Sequence, residues 1–264
     1  MYVAFHEPHE PVASPKKMVD QYDGVAKNVD QAHYFANVTN LDAAVGKLMK
    51  ALMSMELDEN TLIVFTSDNG PETLLRYGRG SRRSFGSPKP LRGMKLWTTE
   101  AGFRVAGIMH WPARIKPGQV SSQPVSALDF LPTFCELAGT QPSKDLALDG
   151  ASFLPALENK PITRKKPLVW VYYNALNKRR VAMRDGNWKV LAKLNIGKLN
   201  KVDARNEAQI KGATLSDFQM FDLSKDIGEI EDLSRSHPEK LIKLKQRLET
   251  HYKELVNGSH VWSK

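Results

Sequence analysis

The stretch TLIVFTSDNGPE, residues 61–72, ends a run of β-formers in Ser-Asp-Asn-Gly and so sets a carboxylate, Asp68, beside an amide, Asn69. Both groups offer oxygen atoms, the donors that a hard divalent cation prefers. In an open α/β sheet, ligands gather just beyond the carboxyl ends of the strands, where these two residues would sit. The same residue types also form ordinary turns through local hydrogen bonds, and the stretch alone leaves both readings open. Two histidines, His6 and His9, fall in HEPHEP near the start of the chain. In a proline-rich loop an imidazole can serve acid–base chemistry or merely cap backbone groups. Arg76, Arg79, Arg82, Arg83, Lys89, Arg92 and Lys95 crowd the segment after the SDNG turn. Interleaved Gly, Ser and Pro make that segment a loop. A basic loop beside a cation site would suit an anion; a solvated surface loop is the plainer alternative. Cys135, the one cysteine, lies in the apolar helical pattern DFLPTFCELAG and reads as a packed thiol, not a nucleophile.

These groups need elements to hold them. Residues 61–66 read as a short buried strand. Before it, Phe35, Val38, Leu41, Val45, Leu48 and Leu52 keep three- and four-residue spacing, which predicts an amphipathic helix over 29–55. A helix leading into a strand is a unit of α/β folds. FRVAGIMHW, 103–111, predicts a second buried strand, ended by Pro112, and the opening MYVAF reads as a further strand. A helix is expected over 125–139, with Asp129 near its start and Gly139 as its C-cap. LDGASFLPAL, 148–157, closes this part, and the composition changes near Asn159, where KPITRKKP reads as a linker. Beyond it, PLVWVYY, RRVAMRDGNWKVLAK and FQMFDL are short strands, with Asp185-Gly186 marking a hairpin turn. Residues 238–256 form a strongly amphipathic helix, so a small antiparallel sheet covered by that helix is expected. The expected division is 1–158 and 159–264.

The 264 residues are 41% hydrophobic and 25% charged, the balance of an ordinary globular protein. No apolar run approaches the roughly 18 residues of a membrane span, and the opening residues lack a signal-peptide pattern. Net charge is +9, from 38 basic and 29 acidic residues. That favours anionic partners: sulfated or phosphorylated ligands, acidic glycans or nucleic acid. No recognisable nucleic-acid module accompanies it, so specific nucleic-acid binding is not expected.

In order along the chain, these motifs resemble the sulfatases of the alkaline-phosphatase-like superfamily. HEPHEP is similar to the family's His-x-Pro-His-x-Pro segment, and TLIVFTSDNGPE to its metal-binding strand end. LRGMKLWTTEAGFRVAGIMHWPARI, 91–115, resembles the stretch that carries its sulfate-binding lysine. DFLPTFCELAG, LDGASFLPAL, AMRDGNWKV and MFDLSKDIGEIEDL follow in the family's order, so the likeness covers nearly the whole chain. It implies an α/β fold: part of an alkaline-phosphatase-like sheet flanked by helices, then a small α+β subdomain of antiparallel sheet and C-terminal helix. It implies that Asp68 and Asn69 are ligands of a divalent cation, usually Ca2+. Lys95 would face the sulfate and the bridging oxygen, and His9 would hydrogen-bond the ester oxygen or protonate the leaving group, with His6 as a neighbour. Glu100 and Arg104 are expected to make structural contacts around the strand.

The implied ligand is a sulfated small molecule or glycan, with specificity in the loops 76–92 and 195–215 and stacking by Trp97 or Tyr77. The implied location is periplasmic, secreted or lysosomal. The chain departs from the family where it lacks the Cys/Ser-x-Pro-x-Arg segment that yields the formylglycine nucleophile, the N-terminal aspartate pair, and the basic residues around the nucleophile. Ala106 stands where the family usually has proline. The expectation is therefore that Met1 is an internal methionine of a longer enzyme, with weak metal binding and no activity in this chain alone. Two other readings remain: a phosphoester hydrolase of the same superfamily, and a noncatalytic anion-binding relative.

Overall fold

A computed structural model describes residues 1–72, 74, 78, 82–199 and 202–259. The first elements are α1 (Lys16–Val19) and the long α2 (Val29–Ser54). Asn28 starts α2 by accepting the Gln31 N–H at 2.9 Å, which satisfies one of the helix's open donors. The helix buries Ala32 and Ala36 against Met18, Val19 and Tyr22. The predicted apolar stripe lies beside this contact and is only half covered; Val38 is exposed. Small side chains let the α1 segment approach closely, so they take the buried positions.

A two-stranded sheet follows, with α3 (Glu100–Phe103) between β1 (Ile63–Thr66) and β2 (Gly107–His110). The strands run antiparallel, from Ile63 opposite His110 to Thr66 opposite Gly107. Three expectations change here. Residues 103–106 are not strand, because the chain is still leaving α3. Neither strand is buried: β1 is half open, and Ile108 of β2 is 58% exposed, since each strand has only one partner among the described residues. Residues 1–5 pair with no strand among the described residues and leave Met1 and Tyr2 almost wholly exposed.

The helix α4 (Phe130–Leu137) follows a single 3-10 turn, Ala127–Asp129, capped by Ser126. Gly139 just past its end adopts φ +66°, the left-handed conformation that glycine takes cheaply. Asp129 is fully buried, and every acceptor is used: both Arg164 amino groups at 2.7 Å, Ser126 N–H at 2.7 Å and Ala151 N–H at 2.9 Å. This pins the LDGASF segment on α4. No side chain could replace Gly150 there, because its Cβ would lie 2.0 Å from the Leu128 carbonyl oxygen.

The remaining elements are β3 (Leu168–Val171), β4 (Val181–Asp185), β5 (Trp188–Leu194), α5 (Glu207–Lys211), β6 (Leu215–Asp222) and α6 (Pro238–Gly258). The four strands form an antiparallel sheet in chain order, with a tight Gly186-Asn187 turn joining β4 to β5. Leu244, Leu248, Tyr252 and Val256, spaced by four, line one face of α6 and pack on Val181, Met183, Val190 and Met220. The opposite sheet face, with Trp170, Ala182, Leu191 and Phe221, meets Phe103, whose ring stacks on Trp170 at 3.9 Å. Thus the segment that leaves α3 is clamped against the second sheet. Among the described residues no helix is long and apolar enough to cross a membrane.

Candidate functional site

The segment from Lys95 to Phe103 is fixed from two sides. On one, Lys189 of β5 is fully buried with its ammonium 2.9 Å from both Glu100 and Glu229. Burial lowers the Lys189 pKa from its ordinary value, while the two carboxylates work the other way. Glu229 Oε2 also accepts the Glu100 backbone N–H at 2.7 Å, and Arg92 donates to the Glu229 carbonyl at 2.7 Å. Arg104 and Arg184 approach the other Glu100 oxygen at 3.5 and 3.4 Å. Glu100 and Arg104 therefore have structural contacts, as the sequence suggested; Lys189 and Glu229, on distant segments, had no signal that could mark them.

On the other side the SDNG turn meets α3 backbone to backbone. Gly70 donates to the Gly102 carbonyl at 3.1 Å, and a Cβ on Gly70 would sit 1.7 Å from the Ala101 oxygen. Glycine is the one residue this approach admits. Lys95 N–H then bonds the Pro71 carbonyl at 2.9 Å. These contacts bring the lysine to the end of β1, although 26 residues separate Lys95 from Asn69 in number alone.

Lys95 Nζ lies 3.1 Å from His9 Nε2, a partner 86 residues away. His9 Nδ1 is 2.5 Å from the Glu10 carbonyl, which can only accept, so Nδ1 carries the proton and Nε2 is left to accept from the ammonium. Glu72, 5% exposed at its side chain, puts a carboxylate oxygen 3.7 Å from the same ammonium. Sequence reasoning passed over Glu72; its place two residues beyond Gly70 was the only available signal. His6 packs edge-on to the His9 ring with centroids 5.9 Å apart, and so serves as a neighbour. Glu10, almost fully buried, accepts the Ser84 N–H at 2.6 Å and ties the HEPHEP loop to the basic loop.

Asp68 is exposed at the strand end, and its contacts stay within the turn: Oδ1 accepts Asn69 N–H at 2.8 Å and Ser67 O–H at 3.4 Å. Asn69 commits its amide nitrogen to the Gly70 carbonyl at 3.1 Å, which leaves the amide oxygen as its available donor atom. These two oxygens fit a hard cation in kind, yet they fall well short of the six to eight that calcium takes. Among the described residues no group of three or more His, Cys, Asp or Glu side chains gathers to complete a shell.

Asn69 and Lys95 share a cavity of about 350 Å³ with Trp97, Phe103, Trp170 and Tyr172. The structure therefore brings Lys95 and Asn69 around one space, with His9 against the Lys95 ammonium and Asp68 next in the chain. It adds two aromatic residues from β3 and the residue after it, which no motif announced. Within the basic loop, Arg76, Tyr77 and Arg79 lie outside the described residues. Arg82 pairs with Asp30 at 3.4 Å and Arg83 lies over the Phe85 ring at 4.3 Å, so these two cations already have protein partners. Cys135 sits half-buried on α4, distant in sequence and role from this cavity.

Comparison with known proteins gives a consistent set of relatives. The Sulfatase family profile matches residues 1–140, and that of the N-sulphoglucosamine sulphohydrolase C-terminal region matches 94–205. Human arylsulfatase A is 33% identical over 257 residues, covering 93% of this chain and 47% of that protein. The N-acetylgalactosamine-6-sulfatase of Canis lupus familiaris is 33% identical over 163 residues, covering 62% of this chain and 29% of that one. Among solved structures, Ps i-CgsB superposes with a TM-score of 0.74 at 31% identity, covering 95% of this chain and 49% of the other. The chain thus spans about half the length, or less, of the relatives it matches.

Proposed function

The chain belongs to the sulfatase family, and we propose that it carries the sulfate-facing part of a sulfuric ester hydrolase. The observation behind this reading is the 3.1 Å approach of Lys95 Nζ to His9 Nε2, with Lys95 and Asn69 lining one cavity. In this reading the Lys95 ammonium binds a sulfate oxygen and the bridging ester oxygen, where negative charge grows as the S–O bond breaks. His9, with Nδ1 held by the Glu10 carbonyl, presents Nε2 to the same oxygen. A proton relayed from the Lys95 ammonium to Nε2, which accepts from it, would reach the departing alcohol. Glu72 holds the ammonium in place from behind.

Asp68 and Asn69 would supply two oxygen ligands to a divalent cation, Ca2+ by family resemblance; when bound, the cation would polarise the sulfate. The remaining ligands and the nucleophile are not in this sequence, which has no Cys/Ser-x-Pro-x-Arg segment. Without a nucleophile the covalent step cannot run, so this chain alone is inactive. A sulfated sugar is the favoured substrate class. The relative N-acetylgalactosamine-6-sulfatase and the complex of Ps i-CgsB with k-i-k-neocarrahexaose support that choice.

Two measurements test the reading. The purified 264-residue chain should give no turnover of a chromogenic aryl sulfate, and robust turnover would overturn its inactivity. Calorimetry should show weak Ca2+ binding that Asp68→Ala abolishes. Binding that survives the substitution would overturn the ligand assignment.

A further inference from the structure

A second cavity, of about 410 Å³, adjoins the first. Arg92, Trp97, Asn177, Lys178, Arg179 and Gln219 contribute to its lining. Trp97 contributes to the lining of both cavities, so one residue joins the Lys95 space to this one. The loop after β3 is fastened to the Lys95 segment by several bonds. Leu176 N–H donates to the Leu96 carbonyl at 2.9 Å, and Asn177 accepts the Thr98 N–H at 3.0 Å while donating to Thr98 Oγ1 at 2.8 Å. Lys178 and Arg179 are thereby held in a fixed place relative to Lys95.

The lining has three cationic side chains and no acidic one. Their charges are not equally available. Arg92 is occupied by the Glu229 carbonyl and the face of Phe221, and Arg179 shares its guanidinium with Asp217 at 2.9 Å. Lys178 is exposed and has no ion-pair partner among the described residues. A cationic cavity that shares Trp97 with the Lys95 space suits an oligosaccharide that carries an anion at each of the two places.

We infer that this cavity is a second anion subsite, which takes the next charged group of an acidic oligosaccharide whose sulfate ester lies at Lys95. The ligand is then an anionic glycan lying across Trp97, not a sugar with a single charge. The inference rests on the sulfate-ester reading for the position of the first sulfate. The second cavity has its own lining and can be tested separately.

The test is calorimetric binding of a sulfated carrageenan hexasaccharide to the full 264-residue chain at low salt. Its desulfated counterpart and a short DNA duplex serve as comparison probes. The sulfated hexasaccharide should bind and the desulfated one should not. Lys178→Glu should weaken binding about fivefold. Adding Arg179→Gln should bring the loss to about tenfold. Thermal unfolding of each variant separates lost binding from lost folding. Lys178→Glu alone keeps the test decisive, because the Lys178 side chain is exposed and forms no ion pair among the described residues.

No binding by the unsubstituted chain, or unchanged affinity in Lys178→Glu, overturns the subsite. Equal weakening of hexasaccharide and duplex DNA also overturns it, by showing a general anion surface. Lys95→Ala distinguishes the two readings. An additional loss supports both; no loss, alongside a Lys178→Glu effect, sinks the placement of the sulfate at Lys95 and leaves the second subsite standing.

Discussion

β5 and β1 are both short apolar strands, yet β5 buries Val190, Leu191 and Ala192 at 1% exposure or less, while every residue of β1 stays partly open. The difference is in what covers them. The β3–β6 sheet has α6 on one face and, on the other, Phe103 stacked on Trp170 of β3. The β1–β2 ladder has two strands of four residues, and a two-stranded ribbon in water is marginal without further cover. Leu131 and Phe134 of α4 are also nearly half exposed. The candidate site therefore hangs between a closed sheet and an open one. Glu100 is anchored to the closed side, while Asp68, Asn69 and Lys95, which bonds Pro71 and approaches Glu72 and His9, sit on the open side. Site geometry in such a molecule depends on the Glu100–Lys189–Glu229 junction more than on β1 itself.

That contrast can be broken at its junction, where the largest effect is expected. Lys189→Met would leave two buried carboxylates without their shared cation, a change that typically costs about 3–5 kcal/mol. Chemical denaturation followed in both sheets would measure it. A loss under about 1 kcal/mol would show that the ion cluster does not couple the regions.

Next in size is a pair of truncations that sharpens the comparison itself. Leu248→Ala removes a fully buried side chain from α6 and should cost about 2–5 kcal/mol. Leu131→Ala on α4 removes one that is 46% exposed and should cost under about 1 kcal/mol. Similar losses at the two sites would refute the difference in closure.

The smallest effect is a pH dependence confined to the open region. His33 of α2 accepts the Ser14 N–H through Nδ1 at 3.1 Å, a bond that protonation of that nitrogen removes. Partial burial, then the nearby Arg82, lowers the His33 pKa from its ordinary value of 6.5, and Asp30 opposes the shift. With the folded value below the unfolded one, the unfolded chain takes up this proton first as pH falls. The contribution is fully present above about pH 6.5 and declines below it. Hydrogen exchange should show the α2 segment loosening on mild acidification while β4–β6 hold, and His33→Gln should flatten the response. Acid loosening that persists in the variant would assign it to another group.

Much of this architecture is legible from local rules. Amphipathic spacing marks α6, the Asp185-Gly186 pair marks the hairpin, and Asp129 with Gly139 marks the two ends of the α4 region, because each signal is complete within a few residues. The ordered motifs likewise single out Asp68, Asn69, His9 and Lys95. Other expectations fail where the outcome depends on a neighbour. MYVAF has strand composition but no partner among the described residues, and the 61–66 and 103–111 runs look buried until the missing cover is counted.

The sequence by itself thus determines the elements whose signals are local, such as α6 and the β4–β5 hairpin, and which side chains are candidates for chemistry. Only tertiary structure decided that Lys95 meets His9 at 3.1 Å, that Lys189 closes on Glu100 and Glu229, and that Trp97 contributes to two cavities. Those contacts join residues far apart in the chain. Their geometry is set by long-range packing, including the close backbone approach at Gly70 and the burial of one sheet face against Phe103, which no local pattern encodes.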